Sequence, residues 1–295
     1  MNLNLKHIKS NVLGLLLSAI CLFISISAYA QSPVISDENA QLAINFSEII
    51  KDKKLLTESL LTISDLNLEA LSPEEKLRHL RQHALGVIAL SNKLDPKSIF
   101  EEYQTAIEEI GNERDKSVYE LQFSFFNTVD VRQPNNITDT IINELELAAN
   151  NEDWFISNNA WLLLSVINSF KNNTNLALQQ AQEAYRKIPN DISPYVTDAR
   201  ISTLARTTYL NNLLLNPELA IENTSNLIQQ KQAAGYPIDG SSLLNNLLYS
   251  LSMWREYEVS THIAEVLLDI ERETVSNTPG LTELRVAQLL SLIHI

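Results

Sequence analysis

The chain has 295 residues, of which 45% are hydrophobic and only six are glycine and nine proline, so it can build one long or two ordinary domains around a real core. Its formal net charge of −14 argues against a nucleic-acid binder, which needs a basic stripe to neutralise phosphates, and against a polybasic membrane-surface protein.

The first thirty residues have the form of an export signal. Lys6 and Lys9 make a positive start, Val12 to Ile26 an apolar run, and Ala28-Tyr29-Ala30 an A-x-A cleavage site before Gln31. Cys21 is no lipidation site, because Ile20 stands where a small residue is needed and the apolar run continues past it. Cleavage after Ala30 leaves 36 acids against 20 bases, a charge of −16, and removes the only cysteine. A mature chain without thiols suits an oxidising compartment, expected here to be the periplasm, and cannot use a thiolate for metal binding or catalysis. No later stretch is long and apolar enough to span a bilayer.

From Asp37 onward apolar residues recur at helical spacing, with little period-2 alternation. A helix starting at Ser36-Asp37-Glu38 is followed by one over Lys53–Leu66. Ser72-Pro73-Glu74-Glu75 combines an N-cap, a first-turn proline and a capping box, and starts a helix to Ser91. Asp95-Pro96 starts the next, which Gly111-Asn112 ends. Further helices are predicted over 114–129, 138–150, 153–170, 175–188, 194–215, 217–234, 242–254, 257–273 and 281–293. Loops at Gln133-Pro134-Asn135-Asn136 and around Gly235-Tyr236-Pro237 punctuate the series. The expectation is all-α: about a dozen antiparallel helices joined by short polar turns.

Within this series Trp161, Leu164, Ser165, Ala177, Ala181, Ala184 and Pro189 stand at offsets that resemble a tetratricopeptide (TPR) repeat of about 34 residues. Ser165, Ala177 and Ala184 are short enough to let two antiparallel helices touch, and Pro189 stops the second helix. Asn168 and Ala181 depart from the pattern, which asks for aromatics there. Leu244, Leu247, Leu248, Leu251, Ser260, Ala264 and Leu267 make a second, fair copy, displaced by 83 residues, which is not a multiple of 34. The resemblance implies a right-handed α-solenoid of helix hairpins over residues 31–295. Its first helices would line a groove for a protein or peptide. Carried over, that groove comprises Asn159, Leu162, Val166 and Ser169, with Ser242, Asn245, Tyr249 and Ser252 in the later copy. Asparagine suits such a surface, since it offers an extended backbone both a donor and an acceptor.

Signals of chemistry are weak. His79 and His83 stand at i, i+4, but Leu80 occupies the place of a zinc protease's glutamate and Arg78 and Arg81 would repel a cation, so no metal site is assigned. Neither a nucleophile elbow, a phosphate-binding loop nor a dinucleotide fingerprint occurs, and no catalytic residue or cofactor is assigned. The last helix is apolar and uncapped where a solenoid needs a polar cap, so the protein is expected to continue past Ile295. Ser291 to Ile295 also resemble the start of an adapter-derived read-through peptide. The first expectation for function is a non-catalytic binding scaffold. The alternatives are the sensor part of a bacterial signalling receptor with a diguanylate cyclase or histidine kinase output domain, and a helical enzyme with dispersed carboxylates.

Overall fold

The structure, a computed structural model, describes residues 35–52, 68–90, 96–129, 137–236, 238, 240–254 and 256–274. Among these residues the regular elements are helical and no strand occurs. The helices are α1 (Asp37–Asp52), α2 (Pro73–Leu90), α3 (Pro96–Ile110), α4 (Glu113–Thr128), α5 (Asp139–Ala149), α6 (Trp154–Phe170), α7 (Thr174–Arg186), α8 (Pro194–Leu213), α9 (Pro217–Ala234), α10 (Gly240–Met253) and α11 (Tyr257–Thr274). From α2 to α11 each begins and ends within two residues of its predicted limits. The export signal and the helices predicted over 53–66 and 281–293 lie outside the described residues.

The ends fall where they do because local chemistry satisfies the backbone groups a helix leaves open. At the start of α2, Ser72 Oγ accepts from Glu75 N (3.3 Å) and Ser72 N donates to Glu75 Oε2 (3.0 Å), closing the capping box read from the sequence. Ser193 caps α8 by accepting from Val196 N at 3.2 Å, with Pro194 in the first turn. Gly111 closes α3 with its N–H 2.9 Å from Ile107 O, and a Cβ there would stand 2.6 Å from the same oxygen. Gly235 ends α9 at φ +72°, a conformation costly for any residue with a Cβ, and Tyr236 N reaches back to Lys231 O.

The first helices of successive hairpins, α2, α4, α6, α8 and α10, start 40, 41, 40 and 46 residues apart. The hairpin spacing is therefore longer than the 34-residue ruler, and it accounts for an interval of about eighty between the two copies seen in the sequence. Each second helix packs against the first helices that flank it: α3 on α2 and α4, α5 on α4 and α6, α7 on α6 and α8, α9 on α8 and α10. Besides this, α2 touches α4, α4 touches α6, α6 touches α8, and α8 touches α2. Four first helices thus form a closed circuit. The helix α1 lies on α9 and α11, far along the chain. Its apolar face (Ala43, Phe46 and Ile50) joins the cluster of Ile221, Leu248, Ile263 and Leu267. The N–H groups of Ile35 and Ser36 donate to Glu256 and Glu218, and Lys51 pairs with Asp269 at 2.7 Å.

The α6–α7 hairpin shows why small residues matter. Ser165 Oγ donates to Ala177 O (2.8 Å) and Asn158 Nδ2 to Ala184 O (2.8 Å), so the backbones meet at Ala177 and Ala184, which have no exposed surface. Asn168, at an expected aromatic position, donates instead to Gln180 Oε1 at 2.9 Å. At the other, Ala181 lets Leu210 of α8 pack with Ala177 and Ala181. Trp161 is half-buried against the main cluster, Leu164 belongs to it, and Pro189 follows the end of α7. Ala184→Leu should force the two helices apart and lower stability by roughly 1–3 kcal/mol in urea denaturation, whereas a leucine at exposed Gln182 should have almost no effect.

Candidate partner groove

Where the four first helices meet, the sequence places four charges inside the fold. Arg81 of α2 donates through Nη1 to Asp115 of α4 at 2.7 Å and through Nη2 to Asp198 of α8. Arg78, one turn earlier, donates to the same Asp198 at 2.8 Å. Asp198 has no exposed surface and Arg81 only 3%. Two tyrosines complete the shell: Tyr236 OH donates to Asp198 Oδ1 (2.6 Å) and Tyr195 OH to Asp115 Oδ2 (2.9 Å). Asn112, the N-cap of α4, donates to Tyr195 OH at 2.8 Å and holds Asp115 N through its own Oδ1. The Arg81 guanidinium lies over the rings of Phe155 and Tyr195, about 5 Å from each centroid.

Two arginines and two carboxylates balance, which is the condition under which charges tolerate removal from water. Burial alone would pull the Arg81 pKa down, but the neighbouring Asp198, Tyr103 and Asp115 outweigh it and leave it raised. Burial, reinforced by Asp198, holds the Tyr236 phenol well above its ordinary value, and burial does the same for Tyr103. Burial and the adjacent Arg78 lower the pKa of His79, whose ring lies 4.6 Å from that of Tyr236. Among the described residues no group of three or more His, Cys, Asp or Glu is arranged to hold a metal ion, and no helix is long and apolar enough to cross a membrane.

This network changes the groove expected from the sequence. Asn159, Leu162 and Val166 do face inward from α6, but they are buried rather than open to a ligand. The closed circuit brings α2, α4 and α8 into the space the groove would have used: Gln122 of α4 donates to Asn159 Oδ1 at 3.3 Å, and Val166 joins a cluster containing Leu80 and Ile88 of α2. Ser169, Asn245 and Ser252 are half-buried, and Tyr249 is 59% exposed. The side chain of Ser242 lies outside what the structure describes.

The middle contributor is α8, which the sequence reading passed over. Tyr195, Asp198, Ser202, Arg206, Tyr209 and Leu213 follow at intervals of three or four and so share one stripe of the helix. The stripe starts inside the network and ends in the open, with Tyr209 38% and Leu213 45% exposed. Between them Arg206 donates to Ser165 Oγ (3.0 Å) and Ser165 O (2.8 Å) and lies over the ring of Tyr209. Burial lowers the Arg206 pKa to about 10, so it stays charged at neutral pH. The Trp254 indole, just past α10, donates to Leu215 O, just past α8, and so joins the C-terminal ends of these two helices. Counting back in turns puts Tyr209 level with Tyr249, and Leu213 level with Met253, which is 39% exposed. A 40-residue step would have found this set, because Ser169, Tyr209 and Tyr249 are separated by 40 and 40.

Compared with known proteins, the chain matches no family model, and no similar curated protein or solved structure is found.

Removing the central carboxylate should be severe. Asp198→Ala leaves Arg81 buried without one of its two partners and should cost on the order of 3–5 kcal/mol, read as a shift in the urea midpoint. Tyr103→Phe should act the other way, because the Tyr103 hydroxyl is buried with no hydrogen-bond partner among the described residues. The gain should be on the order of 1 kcal/mol at pH 8. The tyrosine pKa shifts also set a pH window. Their folded values are raised, so their contribution is complete below the unfolded value of about 10 and drains away as pH rises beyond it. Stability measured from pH 8 to 11 should fall, and less steeply in Tyr103→Phe.

Proposed function

We propose that this chain is a non-catalytic, TPR-like scaffold of helix hairpins, exported to the periplasm, that holds a protein or peptide on the face shared by α6, α8 and α10. The reading rests on one observation: these three helices bear almost no charge in a strongly acidic chain. The segments of α6 and α10 contain no charged residue, and α8 has one acid, the buried Asp198, with Arg200 and Arg206. A surface meant only for water would carry its share of the 36 acids. Instead the exposed ends of α8 and α10 present Tyr209, Leu213, Tyr249 and Met253. Aromatic and Met side chains with few charges are the composition of an interface core.

The array is a solenoid curled until its first hairpin meets its fourth, so the partner surface is displaced from the sealed interior to the open ends of α6, α8 and α10. Pull-down from a periplasmic extract should enrich a discrete partner with the purified chain and lose it with Tyr209→Ser/Tyr249→Ser. Thermal denaturation should show that variant to be within about 1 kcal/mol of the parent, because both side chains are exposed and only the Arg206 contact with the Tyr209 ring is lost. Capture that is equal for parent and variant would count against this face.

A further inference from the structure

Resting on the reading of this face as a partner surface, we infer that its partner is an acidic segment: a carboxylate reaches Arg206 and Lys171 while a neighbouring apolar side chain lies on Tyr209, Leu213, Tyr249 and Met253. The inference comes from charge complementarity. Arg206 is half-buried, and its partners among the described residues are the hydroxyl and carbonyl of Ser165 and the ring of Tyr209, none of them an anion. The buried arginine on α2, Arg81, is matched by two aspartates, whereas Arg206 forms no ion pair among the described residues. Lys171, the C-cap of α6, is exposed, and it too forms no ion pair among the described residues. It closes the C-terminal end of α6, six residues past Ser165, the residue that Arg206 holds.

Long-range repulsion does not decide the matter against an acidic partner. The Debye length is about 8 Å at physiological ionic strength, so the chain's distant carboxylates are largely screened and the local cations dominate. Glu218 and Glu222 of α9 keep their charge but are turned toward the α1 segment, where they accept from Ser36 and Asn39. A basic partner would be drawn to the acidic faces elsewhere, and at this one it would meet two cations of its own sign.

The test uses the purified chain and three fluorescent peptides of equal length: one of alternating glutamate pairs and leucines, one with glutamine for every glutamate, one with lysine. The acidic peptide should bind, and the glutamine and lysine peptides should bind at least about tenfold more weakly. Arg206→Gln should weaken the acidic peptide by about tenfold or more and leave the glutamine peptide unchanged. Lys171→Gln, at an exposed position that does not endanger folding, should lower acidic-peptide affinity by a few fold and reduce its salt dependence. Equal affinity for the glutamate and glutamine peptides overturns the acidic assignment. The partner face itself would still stand if Tyr209→Ser/Tyr249→Ser abolished that common binding. Preference for the lysine peptide, or no binding by the acidic peptide up to about 1 mM, overturns the inference outright.

Discussion

Asp198 is the residue through which hairpins far apart in sequence become one fold. It accepts from Arg78 and Arg81 of α2 and from Tyr236 beyond α9, while Gln82 donates to its backbone carbonyl. Charges taken out of water are tolerated only when the opposing charge and the remaining hydrogen bonds are all present. Here they are supplied by helices separated by more than a hundred residues, so the network forms only when α2 has come to rest against α8. An apolar contact would accept a slide by one turn, whereas a guanidinium shared between Asp115 and Asp198 would not. The network thus acts on register and closure as well as on stability.

Closure gives the molecule two unlike ends. Near the N-termini of the first helices, the inward stripe of α8 is sealed by ion pairs and aromatic rings. Two turns on, the same stripe reaches Arg206, and then Tyr209 and Leu213 in contact with water. Trp254 ties the C-terminal ends of α10 and α8 together, and the last turns of both helices carry exposed side chains, Tyr209 and Leu213 on one and Tyr249 and Met253 on the other. The helix α1 lies on α9 and α11, its N-terminal amides held by carboxylates from Glu218 and Glu256, and adds its own apolar face to that part of the core.

Helix positions were legible because their signals are local. Ser72 with Glu75, Pro194 and Gly235 each state a helix boundary within four residues, and the structure puts boundaries there. The small residues Ser165, Ala177 and Ala184 likewise announced a close helix contact, since only short side chains permit it. Of the residues expected to line a groove Tyr249 is exposed, but nothing near Asn159, Leu162 or Val166 in sequence reports that they will be buried, Asn159 against Gln122 of α4 and Val166 in the cluster of Leu80 and Ile88.

By itself, then, the sequence determined that the described chain is helical, where each helix stops, and which faces are apolar, because backbone capping and 3.6-residue periodicity act over one or two turns. The tertiary structure alone decided that hairpin one returns to hairpin four, that Arg78 and Arg81 meet Asp115 and Asp198, and that Arg206 forms no ion pair among the described residues. Those outcomes depend on distances between residues far apart along the chain. No local pattern encodes them, since a buried and a solvated arginine look alike until the helices that surround them are in place.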